Sequence, residues 1–446
     1  MTPNTSPTAR CFRPATIEAV WPLFVALLLA SALPLDAQAD EFHYNSVFVG
    51  ARSGGMGGTM VGLADDPSAA WYNPAGLARA PFDLVTLNAT ALQSRVLTLQ
   101  KFLGRDVDLK STSSLPLASV VTSPFAGGRL AFCGMTVDQE AFRVDETRSD
   151  IDPAFGLSQA RIQRDRVDST YLAGVAWGKD FGNDFDLGIA AYYVFRSYRE
   201  NDSDFRSGVP NARGEVAFER VAAKQGLSHG GTLVLGLLYH PGGPASRGRL
   251  GLAVRTGANI TDSAVANEEQ FVGVPAPTEA DPNGIRYERR TVTSRRDAHS
   301  KIPPALLLGG SFRLTPGWVV ALDGSLYGFV EYESLGEKIT KLATANLSLG
   351  SELALSPELL LRAGLYTNRS SAPKLTAAQG LQPSSWDEYG GTMGFTFTRQ
   401  HHSLLFSLKY GVLSGSDVVQ ASETVFEQLQ VKGYDLAATV GASYHF

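Results

Sequence analysis

Between Tyr434 and Phe446 the chain changes character at every residue. Tyr434, Leu436, Ala438, Val440, Ala442, Tyr444 and Phe446 fall on one side of an extended backbone, and Asp435, Thr439, Gly441, Ser443 and His445 on the other. Side chains of a strand alternate between its faces, so such a segment has one face for an apolar medium and one for a polar medium. When the apolar face meets lipid and the polar face a lumen, the pattern is that of a transmembrane β-barrel.

Period-2 segments of this kind recur between turn signals near 82–99, 115–123, 129–138, 169–178, 185–199, 227–240 and 249–260, and again near 305–314, 318–330, 346–355, 359–370, 388–399, 403–415 and 432–446. The expected fold is therefore all-β, an antiparallel transmembrane barrel of 14 strands. Leu347, Leu349, Leu353 and Leu355 stand against Asn346, Ser348 and Glu352; Tyr389, Met393, Phe395 and Phe397 stand against Thr392, Thr396 and Thr398. Leu404, Phe406, Leu408 and Tyr410 stand against Ser403, Ser407 and Lys409. A soluble sandwich alternates too, but its water-facing side carries more charge than the Gly, Ser and Thr found here.

The connections alternate in length. Short links at 124–128, 179–184, 241–248, 315–317, 356–358 and 400–402 alternate with long polar stretches at 139–168, 200–226, 261–304 and 371–387. Outer-membrane barrels have short periplasmic turns and long extracellular loops, and an even strand count returns the C-terminal end to the periplasmic side. In that orientation Trp177, Tyr239, Trp318, Tyr444 and Phe446 stand at periplasmic strand ends, where an interfacial aromatic belt belongs.

At the N-terminus, Arg10 and Arg13 precede an apolar run over 20–32, and Ala37-Gln38-Ala39 supplies small residues for signal-peptidase cleavage. Residues 1–39 read as a signal peptide, because the run is shorter than the about 20 apolar residues a membrane helix needs. Of the two cysteines only Cys133 lies beyond it, which rules out an internal disulfide. The 19% charged residues and the net charge of −5 do not exclude a barrel, which hides its apolar residues at alternate positions, and supply no electrostatic case for nucleic acid.

The segment 40–81 differs in kind from the barrel, 82–446. It carries a glycine-rich run and then Asp65-Asp66-Pro67, which reads as a helix start with an acidic cap and a proline in the first turn. Too short for an independent domain, it fits a hatch of short helices inside the lumen. Phe42, Tyr44, Val47, Phe48, Met56, Met60, Val61 and Trp71 either line a pocket for a ligand or pack the hatch against the wall. Asn73-Pro74-Ala75 is either a hinge or the turn that ends the short helix.

Phe42-His43-Tyr44-Asn45, the glycine run and the stretch from Asp65 through Asn73-Pro74-Ala75 to Leu77 resemble the N-terminal hatch of the FadL/TodX family of outer-membrane transporters for fatty acids and hydrocarbons. Ile302-Pro303-Pro304 before a strand, and the stretch Leu361 to Pro373, are similar to that family's barrel. The resemblance implies a 14-stranded barrel closed by its hatch, passing hydrophobic small molecules (long-chain fatty acids or aromatic hydrocarbons) without an energy source of its own. It further implies capture by extracellular loops, here 200–226 and 261–304 with Phe271, Val272, Val274 and Pro275, an apolar pocket near the N-terminus, and a sideways exit beside the third strand. That strand contains Gly134, and glycine marks bends in strands. The run Gly50 to Gly58 is closer to a related group of outer-membrane barrels, some of which act in protein secretion or surface attachment, so a docking role stands as the alternative.

No catalytic residue, metal site or cofactor is expected. Gly55-Met56-Gly57 lacks the third glycine and the preceding strand of a nucleotide site, and the seven histidines have no metal-ligand spacing. Arg286, Glu288, Arg289, Arg290, Arg295 and Arg296 either contact lipopolysaccharide phosphates or form a solvated, strand-like extension of a loop. The expected partners are thus a hydrophobic ligand and outer-membrane lipid with lipopolysaccharide, and the expected state is a monomer.

Overall fold

The computed structural model describes residues 42–445 apart from 81–83, 103–104, 114–116, 150–156, 183, 209–216, 244–245, 276–284, 335–336, 376–383 and 421–425; the expected signal segment and Phe446 lie outside the described residues. Among these residues no helix is long and apolar enough to cross a membrane. The crossings are strands.

The first crossing is β1 (Leu84–Phe102), and the second is broken into β2 (Arg105–Ser113) and β3 (Leu117–Phe125). Then come β4 (Gly128–Arg148), β5 (Leu157–Asp180), β6 (Phe185–Gly208) and β7 (Ala217–Tyr239). The seventh crossing joins β8 (Gly248–Arg255) to β9 (Ala258–Pro275), and the eighth joins β10 (Ile285–Ile302) to β11 (Ala305–Thr315). After β12 (Trp318–Tyr327), a hairpin of β13 (Val330–Ser334) and β14 (Glu337–Lys341) forms its own two-stranded sheet. The wall resumes with β15 (Thr344–Ala354), β16 (Leu359–Asn368), β17 (Ser385–Arg399), β18 (His402–Gln420) and β19 (Phe426–His445). Since three crossings are broken in two, the 17 strands of the main sheet make 14 crossings. Every pairing is antiparallel, and β1 pairs with β19 from Leu84↔His445 to Leu99↔Val431, which closes the cylinder.

The two faces separate as the alternation requires. Leu347, Leu365, Met393 and Leu404 are each about 60% exposed on the outer face, while Asp435, Glu388 and Asn346 are sealed within. Such exposed leucines are intelligible only against lipid. At the short-turn end Phe185 stacks on Tyr239 at 4.8 Å, Trp177 meets Phe181 edge-on at 6.5 Å, and Trp318 donates its indole N–H to Ser351 Oγ at 2.9 Å. These aromatics form the belt.

Within the stretches 139–168, 200–226 and 261–304, expected as loops, most of the described residues are paired strands: β4 runs on to Arg148, β6 to Gly208, and β9 pairs with β10 along its whole length; 150–156, 209–216 and 276–284 lie outside the described residues. Phe271 and Val272 accordingly lie in a ladder opposite Arg289 and Glu288; their side chains are outside the described set, as are those of the basic run 286–296. Beyond the bilayer both faces of a hairpin meet water, so its strands lose the apolar stripe that made the others readable. Backbone pairing and cross-strand contacts such as Arg161 with Asp145, 3.1 Å, hold them instead.

Inside the cylinder lie α1 (Ala51–Gly55), the one-turn α2 (Ala69–Tyr72) and a 3₁₀ helix, Pro74–Arg79. Asp66 holds the turn before α2 by accepting from Ser68 N at 2.7 Å and Ser68 Oγ at 2.5 Å. Residues 42–80 reach the wall on many sides, from β7 and β8 to β16 and β18, so the hatch fills the lumen.

Candidate functional site

The Asn73-Pro74-Ala75 turn is buried against the wall. Asn73 Nδ2 donates to the Val61 carbonyl at 2.9 Å and the Leu237 carbonyl at 3.0 Å, while its Oδ1 accepts from Ala75 N at 3.2 Å and so caps the 3₁₀ helix. The wall beneath is three glycines side by side, Gly178↔Gly188↔Gly236, on β5, β6 and β7. A methyl at Gly188 would overlap the Pro74 carbonyl carbon and the Ala75 nitrogen, and one at Gly236 would overlap Asn73 Oδ1. Backbone packs on backbone here, a spacing only glycine permits. In the same way the strand residue Asp323 receives the hatch amides of Met60 and Val61, each at 2.6 Å.

An ion network pins the hatch on the short-turn side. Arg52 reaches Asp65 at 2.6 Å, Asp66 at 3.2 Å and Glu352 at 2.9 Å; Glu352 also meets Arg362 at 2.6 Å, and Arg249 meets Asp65 at 2.9 Å. Burial alone would raise the Asp65 carboxyl, but the guanidinium groups of Arg52 and Arg249 outweigh it and hold the group below its ordinary value. Burial pushes the Tyr72 phenol up to about 12, so it stays neutral while bonding Ser53 Oγ and Val49 N.

The candidate ligand residues do not converge on one pocket. Met56 and Met60 are fully buried with Leu63 against Ala321, which is packing of the hatch on the wall. Phe42 is buried with its ring 5.8 Å from Lys341 Nζ, and its carbonyl accepts from Ser371. Phe48 is half-buried, edge-on to Tyr366 at 5.1 Å, beside a cavity of only about 20 Å³ shared with Gln93 and Lys409. Trp71 stands apart from these, half-buried between Tyr192, 6.0 Å away, and Arg255, whose guanidinium carbon is 3.5 Å from the ring centre. Gly134, on β4, has ordinary room: a methyl there would meet only Ser119 Oγ at 3.5 Å. The irregularity of the third crossing lies nearby, a register shift between Thr136 and Asp138.

The lumen is lined unevenly. On the second to eighth crossings an apolar cluster of Ala118, Val120, Cys133, Met135, Leu172, Val194, Val234 and Leu307 packs with the hatch residues Ala69, Ala70 and Leu77, beside the buried charges Arg129, Asp168, Asp186 and Arg255. On the remaining crossings the inner face is charged: Lys409 contacts Glu388 at 3.0 Å and Asp435 at 3.2 Å, and Arg95 meets Asp435 at 3.2 Å. The β3–β4 ladder ends at Ala118↔Met135, and among the described residues β4 has no ladder partner on that side beyond it. The apolar cluster thus reaches Met135, where the described β3–β4 ladder ends. Sequence reading placed Asp435, Lys409 and Glu352 on the inner face but missed Arg255 and Asp323, although parity identifies them, since each is a charge on the inward position of an alternating strand.

No family model matches the sequence, and no curated protein does. Solved structures do. A FadL homologue of Pseudomonas aeruginosa aligns with TM-score 0.61 at 12% identity, covering 91% of this chain and 100% of its own. The toluene transporter TodX of Pseudomonas putida aligns with TM-score 0.58 at 14% identity, covering 89% and 98%, and the toluene transporter TbuX of Ralstonia pickettii with 0.56 at 13%, covering 90% and 100%. At such identities the likeness is one of architecture: this chain has the hatch-filled, 14-stranded barrel fold of FadL-like outer-membrane proteins.

Proposed function

We propose that the protein sits in the outer membrane and lets hydrophobic small molecules, long-chain fatty acids or aromatic hydrocarbons, enter passively, without catalysis. The observation that carries this reading is the apolar cluster of the lumen, which runs from α2 of the hatch to Met135 on the third crossing. An apolar solute gains by leaving water for such a surface, and a sideways exit into the bilayer beside the third crossing belongs to this proposal. The toluene transporters that share the fold support the same class of cargo. A cleaved signal peptide at 1–39, a monomeric barrel and contact of the basic extracellular hairpin with lipopolysaccharide belong to this proposal. No observation favours the docking role.

The test is uptake of labelled oleate and of labelled toluene by cells that lack their own transporters and express this chain. Accumulation above the empty-vector control for at least one is the expected result; vector-level uptake across a wide panel of apolar compounds sinks the reading.

A further inference from the structure

At the short-turn end a cavity of about 180 Å³ lies between the hatch and the wall around β8, β11 and β15. The hatch contributes Arg52, Leu63 and Asp65 to it, and the wall adds Arg247, Arg249, Arg313 and Glu352. Three acids meet three arginines here: Asp65 pairs with Arg52 and Arg249, Asp66 with Arg52, and Glu352 with Arg52 and Arg362. Those charges cancel. Arg247 and Arg313 have no carboxylate partner among the described residues, so two positive charges face the cavity unmatched.

The backbone sets these two side by side. Arg313 N donates to the Arg247 carbonyl at 2.7 Å, one step beyond the Phe312↔Gly248 pair of the β11–β8 ladder. Leu250 and Phe312, 59% and 49% exposed, stand on the lipid face, so alternation turns Arg247, Arg249 and Arg313 inward. Like charges on adjacent strands repel, and here no acid relieves them.

We propose that this cavity is an oxyanion site, in which a phosphate dianion, free or as a monoester, bridges Arg247 and Arg313 and keeps the hatch docked. Arg249 adds to it, because its bonds to Leu63 and Asp65 both run through Nη1 and leave its other donors over. Two negative charges match two unpaired guanidinium groups, whose planar forks suit phosphate oxygens. The cavity has the volume of about six waters, room for a phosphate with part of its hydration. The anion arrives from water at the short-turn end, since lipid phosphates lie across the strands from these side chains. Because hatch residues complete the cavity, the anion binds only while the hatch is in place and therefore holds it there by mass action. This role is separate from the cargo of the barrel, and its failure leaves the uptake reading standing.

The experiment is calorimetric titration of inorganic phosphate into the full barrel in maltoside micelles, at constant ionic strength and about pH 8, where phosphate is a dianion. Saturable binding is the expected result. Arg247→Gln and Arg313→Gln should each weaken it about tenfold or more, and the double variant should abolish it. Neither side chain has a partner to lose, so both variants keep the fold. Arg399→Gln, exposed at the same end on β17 but outside the cavity, should leave the affinity unchanged. With phosphate at about ten times its Kd, hydrogen exchange over residues 51–66 should slow about tenfold. Absence of saturable binding, full affinity in the double variant, or equal weakening by Arg399→Gln overturns the site. Binding with unchanged exchange overturns its hold on the hatch. Displacement of phosphate by monomeric dihexanoyl-phosphatidylglycerol assigns the cavity to a lipid phosphate and overturns the water-borne anion.

Discussion

Asn73→Ala removes a side chain that makes three buried hydrogen bonds, two donated to Val61 and Leu237 and one accepted from Ala75. Each such bond contributes about 1 kcal/mol net, and the values lie toward the upper end when the abandoned partners stay buried. The hatch should therefore lose about 3 kcal/mol of docking free energy, whereas the wall, whose ladders are untouched, keeps its own stability. With a factor of ten for every 1.4 kcal/mol, local opening of the hatch becomes about 100-fold more frequent. Hydrogen exchange read by mass spectrometry across residues 60–77 should speed up by that order, with β16 and β17 unchanged, and the barrel should still migrate as a folded species on unheated gels. Exchange within about threefold of the wild type would falsify the claim that this turn fastens the hatch.

Gly188→Ala should displace the hatch by overlapping Pro74 and Ala75, at a cost of about 1–3 kcal/mol or more, and raise ion leakage in planar bilayers; Gly134→Ala should leave conductance at the wild-type level. Because Asp65 is held below its ordinary value in the folded state, its contribution is present above the unfolded carboxylate value of about 3.9 and is lost as the pH falls through the folded value. Trp71 emission should be flat from neutral pH down to about 4 and change below it, with that acid limb reduced in Asp65→Asn. On the lipid face, Leu349→Arg should destabilise the barrel by about 2–4 kcal/mol if the residue lies near the bilayer centre, measured by urea unfolding in lipid vesicles; no change would place Leu349 away from the hydrocarbon.

The wall was legible because lipid imposes a rule at every second residue, and Leu347 to Leu355 and Tyr434 to Tyr444 obey it but for Ser351 and Ala437. The extracellular hairpins were not, since Arg161 and Asp145 pair where both faces are wet and no apolar stripe remains. Asn73-Pro74-Ala75 could be singled out by composition, but its partners Leu237, Gly188 and Gly236 lie on strands more than 100 residues away, beyond any local pattern. Met56 and Met60 looked equally suited to a pocket and to packing; burial decides for packing. Arg255 was hidden for a different reason, because an unpaired charge is recognised only once its missing counter-ion can be looked for in space.

The bonds from Asn45 to Asn368 and from Lys409 to Ser46 span 323 and 363 residues. Neither can form until the final third of the chain has arrived, so the N-terminal segment, made first, is fastened to the wall among the last events of folding.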